Sequence, residues 1–247
     1  MNDNNQAAGF PAVFLFSGLC YSSLGPTLEG SEMLQVTNLA IGYGRSPVLG
    51  GISFSLKRGE RMAIIGKNGT GKTTLLKTIA GLLKPLGGEI IFDGSKRLWE
   101  AHQRPISFVP TGGLFPWLTV ERNVRYRLHR EAIQQGEIEE RLQEVIALVR
   151  LPADSLGKYP KMLSAGQCRR AELATGLVSL KERSLLLWDE PFANLDRFVI
   201  PELLDVFPEA LKKLRATVLV VTHELSHAEA LAERQFDLDL VTESSHV

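Results

Sequence analysis

An α/β fold built on a mainly parallel sheet is predicted by three features of the sequence. Arg61-Met62-Ala63-Ile64-Ile65 is a short apolar run suited to a buried parallel strand. It leads through a glycine-rich loop into Leu75, Leu76, Ile79, Leu82 and Leu83, which recur at helical spacing until Pro85 stops the helix. Two more apolar runs, Ser184 to Trp188 and Thr217 to Val221, each end in polar residues able to do chemistry. With 247 residues, the chain is long enough for one large domain with a sizeable core.

The elements follow in order. Before Met33 the chain is unlike the rest: Phe10 to Tyr21 is apolar, yet no Lys or Arg precedes Arg45, so the basic start of an export signal is missing. Ser22 to Ser31 reads as linker, and Met33 as the expected start of the folded unit. Leu34, Val36, Leu39 and Ile41 suit an early strand, and Ile52, Phe54 and Leu56 a second one that turns at Lys57-Arg58-Gly59-Glu60. Gly87-Gly88 reads as a turn and Glu89 to Gly94 as a strand with its own turn. Ile138, Leu142, Val145, Ile146 and Val149 fall on one face of a helix whose other face is charged. Leu114-Phe115-Pro116-Trp117-Leu118 is an apolar loop that is either core or a partner's landing site.

Composition narrows the function. The net charge of zero argues against nucleic acid as a partner. Two cysteines, Cys20 and Cys168, are too few for a disulfide framework and suit a reducing compartment. No stretch approaches the ~20 apolar residues needed to cross a bilayer.

The loop Gly66-Lys67-Asn68-Gly69-Thr70-Gly71-Lys72-Thr73-Thr74 fits G-x-x-x-x-G-K-S/T. Its glycines free the backbone to turn consecutive N–H groups inward onto phosphate oxygens. Lys72 adds a charge, Thr73 a hydroxyl for Mg²⁺, and the following helix its positive N-terminus. The bland reading, a glycine turn without a nucleotide, does not account for strand, loop and helix in the required order. Asp189 and Glu190 stand at the C-terminal end of an apolar strand, the edge where open α/β sheets bind ligands. One carboxylate beside the phosphate loop can hold Mg²⁺, and the second can take a proton from water; an acidic helix cap is the structural alternative. His223 follows another strand to the same edge, as cap or as chemistry. Tyr43, between glycines, either packs or stacks on a base.

Leu163-Ser164-Ala165-Gly166-Gln167 completes a pattern that resembles the nucleotide-binding subunit of an ABC transporter. From Met33 onward the motifs run in family order. The resemblance implies Tyr43 on the adenine, Gly66 to Thr74 as Walker A, Ser164, Gly166 and Gln167 in the signature, and Asp189 and Glu190 closing Walker B. It further implies Ala193 to Asp196 as the D-loop, with Asp196 at the nucleotide, and His223 as the switch histidine. The implied fold is a P-loop NTPase: a RecA-like core, an antiparallel β subdomain and an inserted helical subdomain at roughly 112–180, all within 33–247, with 1–32 an extension. ATP and Mg²⁺ are the implied cofactors, with Thr73 and Asp189 on the metal and Glu190, His223 and Lys72 in catalysis. The implied partners are transmembrane permease subunits, a second ATP-binding subunit in a head-to-tail dimer, and a substrate-binding protein, at the cytoplasmic face of the membrane. Leu114 to Val120 is most similar to importers of the nitrate, sulfonate and taurine group. A soluble ABC ATPase acting on another macromolecule and an ATP-binding regulator without turnover are the alternatives. Co-fractionation with a permease and a turnover assay separate the three.

Two positions depart from the family. Phe108 to Gly113 lacks the expected glutamine, for which Thr111 is a shorter substitute, and Thr175 stands where an arginine is usual. Slow hydrolysis with ordinary ATP binding is therefore expected, and Thr111→Gln should speed steady-state turnover; family-typical turnover in the parent with no gain in the variant would overturn this. Limited proteolysis should clip first before Met33, leaving a chain that still binds ATP; loss of binding on truncation would show that the extension is needed.

Overall fold

The computed structural model describes residues 31–94, 106–128, 135–178, 180 and 184–244. The apolar run Phe10 to Tyr21, Cys20 and most of the linker lie outside the described residues. The first strands, β1 (Glu32–Tyr43) and β2 (Ser46–Lys57), pair antiparallel, with Val36 opposite Phe54. Their apolar residues change parity between Val36 and Leu39, and the structure shows why. The register shifts there, Asn38 takes a left-handed φ of 46°, and its N–H donates to the Ser53 hydroxyl at 2.8 Å. This bulge returns Leu39 and Ile41 to the face already buried by Leu34 and Val36. The strand begins at Glu32, opposite Lys57, and the Ser31 carbonyl accepts the Arg58 N–H at 3.0 Å.

Strand β3 (Arg61–Ile65) feeds the glycine loop and α1 (Lys72–Ile79). The helix stops earlier than Pro85. Gly81 has φ +77°, its N–H bonds to the Thr78 carbonyl at 3.0 Å, and the Leu82 N–H reaches back to the Lys77 carbonyl at 2.9 Å. That glycine-terminated pair of bonds closes the helix and leaves Leu82 exposed. Strand β4 (Gly87–Phe92) starts at the glycine pair expected to be a turn, because Gly87 already lies opposite Ala40 on β1. A Cβ on Gly88, at φ +77°, would lie 2.2 Å from the Asn38 carbonyl, so the bulge demands that glycine. The antiparallel sheet has the order β2-β1-β4.

The second sheet is parallel. Its remaining strands are β5 (Ile106–Val109), β6 (Leu185–Asp189), β7 (Thr217–Val221) and β8 (Arg234–Asp237), in the order β5-β6-β7-β3-β8. Both faces are covered, which is why its central strands read as unbroken apolar runs. Leu186, Trp188, Val218 and Val220 face one core, made with helices; Leu185, Leu187, Leu219 and Val221 face another, shared with α1 and the antiparallel sheet.

Between β5 and β6 the chain builds α2 (Val120–Leu128), α3 (Gln135–Leu148) and α4 (Ala165–Leu177). Ile138, Leu142, Val145, Ile146 and Val149 are all buried, as their spacing predicts. The apolar loop before α2 splits its two readings. Leu114 packs on the core, while Trp117 is 68% exposed. Buried Asn123 pins the loop, accepting the Phe115 N–H at 2.7 Å and donating to the Phe115 carbonyl at 3.1 Å. Past β6 come α5 (Ile200–Lys213), α6 (Leu225–Leu231) and, after β8, α7 (Leu238–Ser244). No helix among the described residues is long and apolar enough to cross a membrane.

Helix α4 lies against β5 through a glycine. A Cβ at Gly176 would meet Val109 Cγ2 at 2.0 Å. Gly176→Ala gains about 1 kcal/mol of helix propensity but overpacks the core by about 1–3 kcal/mol, and a contact this close puts the cost at the upper end. Denaturant titration should show a net loss of about 2 kcal/mol, and Val109→Ala in the same chain should recover part of it; independent, additive effects would contradict this contact.

Candidate nucleotide site

Strands β3, β7 and β6 end level. Ile64 lies opposite Val221, and Val221 opposite Asp189. The chain segments leaving these ends therefore meet above one edge of the sheet: the glycine loop from β3, Asp189-Glu190 from β6, and Thr222-His223 from β7. Three of the sequence-predicted groups come together here.

The loop forms a cradle held open by its own backbone. Gly66, Gly69 and Gly71 have φ of +154°, +86° and +98°, values that side chains resist. Gly71 caps α1 without any side-chain bond, so the first amides of the helix stay free for an anion. Lys72 is buried and donates from Nζ to the Gly66 and Lys67 carbonyls, 2.8 Å each, which folds its charge over the loop. Thr70 Oγ1 donates to the Lys67 carbonyl at 3.0 Å, whereas Asn68 and Gly69 are exposed at the rim. Tyr43 reaches the loop from the end of β1, its hydroxyl 3.1 Å from Thr74 Oγ1 while the residue stays 51% exposed. A ring anchored at its hydroxyl and open to solvent is available for stacking.

Thr73 Oγ1 donates to Asp189, 3.0 Å from each carboxylate oxygen. Burial raises the pKa of Asp189, opposed by the Thr73 hydrogen bond and raised further by neighbouring Glu190. A hydroxyl and a buried carboxylate are hard oxygen donors, and a cation beside them offsets the desolvation that disfavours the carboxylate. The residues fit Mg²⁺ in that sense. No cluster of three or more His, Cys, Asp or Glu able to hold a metal occurs among the described residues. Next to Asp189, Glu190 Oε1 lies 3.0 Å from His223 Nδ1, and Glu190 takes a φ of 46° while its N–H bonds the Val221 carbonyl at 2.9 Å. Carboxylate and imidazole are thus paired across two strand ends.

The signature residues sit elsewhere. Ser164 caps α4 reciprocally with Gln167: Gln167 N–H donates to Ser164 Oγ at 3.2 Å, and Ser164 N–H to Gln167 Oε1 at 3.0 Å. Gly166 lies beside Asn194 and Leu195, and exposed Asp196 accepts the Phe198 N–H at 2.9 Å. These bonds do not reach the phosphate loop. Thr111 is exposed on its loop, and the adjoining Gly112 N–H is held by Glu172 at 2.8 Å.

Two contacts escaped the sequence reading. Asp239 accepts the Lys67 N–H on both carboxylate oxygens at 3.2 Å, a contact across 172 positions that no motif announces. Arg169, 1% exposed, spends its guanidinium on carbonyls around Asp189 and Glu190. Its proximity to the signature was visible, but its burial was not.

Comparison with known proteins agrees with this geometry. The family model described as ABC transporter matches residues 49–193. The chain is 38% identical over 213 residues to the aliphatic sulfonates import ATP-binding protein SsuB of Corynebacterium glutamicum, covering 86% of this chain and 83% of that one. It is 33% identical to the Fe(3+) ions import ATP-binding protein FbpC of Escherichia coli O157:H7, over 89% of this chain and 62% of the other. Among solved structures, the dimeric post-hydrolysis state of the ATP-binding cassette MJ0796 bound to ADP and Pi superposes with a TM-score of 0.74 at 27% identity, covering 83% of this chain and 94% of that one. A glycine cradle, a carboxylate pair level with it and a separate capped signature helix, matched along most of the chain, make this protein a member of the ABC transporter family, an ATP-binding subunit with the ABC ATPase fold and activity.

Proposed function

We propose that the chain is the ATP-hydrolysing subunit that energises an ABC importer of small anions, of the sulfonate, nitrate or taurine class. The observation that carries the hydrolytic half is Thr73 against Asp189 beside Glu190 against His223. The import direction and the cargo class rest on similarity to SsuB; FbpC, named for Fe(3+) ions, is the competing likeness.

Residues 33–247 act as the ATPase domain, with the helices at roughly 112–180 as its helical subdomain and 1–32 as an extension. Tyr43 stacks on adenine. Amides of Gly66 to Thr74 wrap the phosphates, and Lys72 exchanges its two carbonyl partners for phosphate oxygens. Thr73 and Asp189 are the residues that would hold Mg²⁺, which when bound would neutralise phosphate charge. Glu190 orients a water and takes its proton as the bond from the γ-phosphorus to its bridging oxygen breaks, leaving ADP and phosphate. His223, held at Glu190, keeps the carboxylate aimed and donates toward the transferred group.

The signature's distance from its own cradle is satisfied by a head-to-tail dimer, in which Ser164, Gly166 and Gln167 of one subunit, with Asp196, close over the ATP of the other. Ser164, exposed at the capped end of α4 with half-buried Gly166 and Gln167 behind it, and exposed Asp196 support this arrangement. Exposed Trp117, its ring tilted against Phe115 with centroids 5.4 Å apart and Phe115 in turn edge-on to Tyr126, offers the permease subunits an apolar landing site at the cytoplasmic face of the membrane. A substrate-binding protein would deliver the cargo on the opposite side.

Lys72→Ala should weaken ATP binding about 10- to 150-fold, the worth of a charge-assisted bond of about 1.5–3 kcal/mol. Glu190→Gln should keep binding, lose about 10²–10⁴ in kcat, and trap an ATP-dependent dimer on a sizing column. Parental turnover in Glu190→Gln would remove the base assignment; a monomer with ATP and Mg²⁺ would remove the sandwich. For the cargo, ATPase activity of the complex reconstituted with its permease and binding protein should rise with an aliphatic sulfonate, and stimulation by ferric ion alone would reverse the assignment.

A further inference from the structure

Arg169 lies on the second turn of α4 and is 1% exposed. A guanidinium so deeply buried requires partners for its N–H groups. Here Nε donates to the Pro191 carbonyl at 3.0 Å, Nη1 to the Pro110 carbonyl at 3.1 Å and to Glu172 Oε2 at 2.7 Å, and Nη2 to the carbonyls of Asp189 and, at 2.8 Å, Glu190. Glu172, itself 5% exposed, turns its other oxygen to the Gly112 N–H at 2.8 Å. One ion pair thus holds three segments: the strand end bearing both site carboxylates, the loop that lacks the expected glutamine, and the helix that Ser164 caps.

The carbonyls of Asp189, Glu190, Pro191 and Pro110 converge on this one cation. Without it, the negative ends of these carbonyl dipoles would crowd together in a buried space, and the peptide around Glu190 would be free to leave its left-handed φ of 46°, a conformation that a β-carbon disfavours. The fork shape matters, since a lysine presents a single charged point and cannot span acceptors distributed over all three guanidinium nitrogens. Ser164 precedes Arg169 by five residues, about 7 Å along the helix axis. The helix end that meets the partner's ATP is therefore tied to the base that acts on the chain's own ATP.

We propose that Arg169, supported by Glu172, is a positioning residue for hydrolysis, fixing the Glu190 backbone to the signature helix and to the Pro110–Gly112 loop. The proposal rests on Glu190 being the base, as argued above. It gives the loop without glutamine a different link to the catalytic strand, made through backbone groups.

Arg169→Gln/Glu172→Gln in the full chain removes both charges together, so neither is left buried alone, and Arg169→Lys keeps the charge without the fork. Thermal melting, ATP affinity, kcat and KM are measured for each. In the double variant the chain should fold, bind ATP within about twofold of the parent, and lose roughly tenfold in kcat at unchanged KM. Arg169→Lys should recover melting temperature but not kcat. Parental kcat in a folded double variant overturns the proposal, as does a loss shared equally by affinity and kcat that lysine restores. Should the double variant not fold, Arg169→Lys decides alone, parental kcat overturning the proposal and a loss at constant KM sustaining it. A parent that binds ATP without turning it over overturns the base assignment and this proposal together, whereas an active parent with unimpaired variants overturns this one alone.

Discussion

The level ends of β3, β7 and β6 are the constraint on which the rest depends. Parallel strands in register deliver their following loops to one edge, and here that edge receives the phosphate cradle, the carboxylate pair and the histidine. A slip of one residue in β6 would turn Asp189 from Thr73 toward the opposite face, since side chains alternate along a strand. The register is protected by burial on both faces. Leu186 and Trp188 are committed to one core and Leu185 and Leu187 to the other, so no slipped pairing keeps both filled.

Rigidity of the sheet contrasts with the way the site's polar groups are held. Lys72 rests on loop carbonyls, through bonds that phosphate oxygens can replace, and Thr73 on Asp189, through a bond whose place a cation between the two oxygens would take. Such exchange would keep buried polar groups paired with and without a nucleotide, which lowers the cost of emptying the site. The contacts behind the site are of another kind. Arg169 and Glu172 lie within the protein, where no ligand competes for them, and join the helical layer to the strand end that carries Asp189 and Glu190. The site is thus exchangeable in front and fixed behind.

Much of this was legible from residue order. Walker A followed from its glycines and the flanking strand and helix, and the strands β3, β6 and β7 from apolar runs that end in chemistry. The α3 stripe was readable because helical periodicity is a local property. Other features were obscured by local turns. Gly81 ends α1 before Pro85 because a glycine in left-handed backbone can satisfy the last carbonyls, and spacing alone does not reveal which glycine does so. The β1 bulge at Asn38 breaks alternation in a way that resembles noise until the paired strands are seen.

By itself the sequence determined the chemistry available, since phosphate loop, hydroxyl, carboxylates and histidine are properties of residue type and short-range order. It also determined the family, because its motifs occur in a fixed succession. Tertiary structure alone decided which of these groups meet. It paired Thr73 with Asp189 across 116 positions and Glu190 with His223 across 33, and kept Ser164 away on its own helix end. It alone showed that Arg169 is buried and what it binds, and that Asp239 closes on the phosphate loop. The physical reason is the same in each case: a side chain's identity is written locally, but its desolvation and its partners are set by strands and helices far away in the chain.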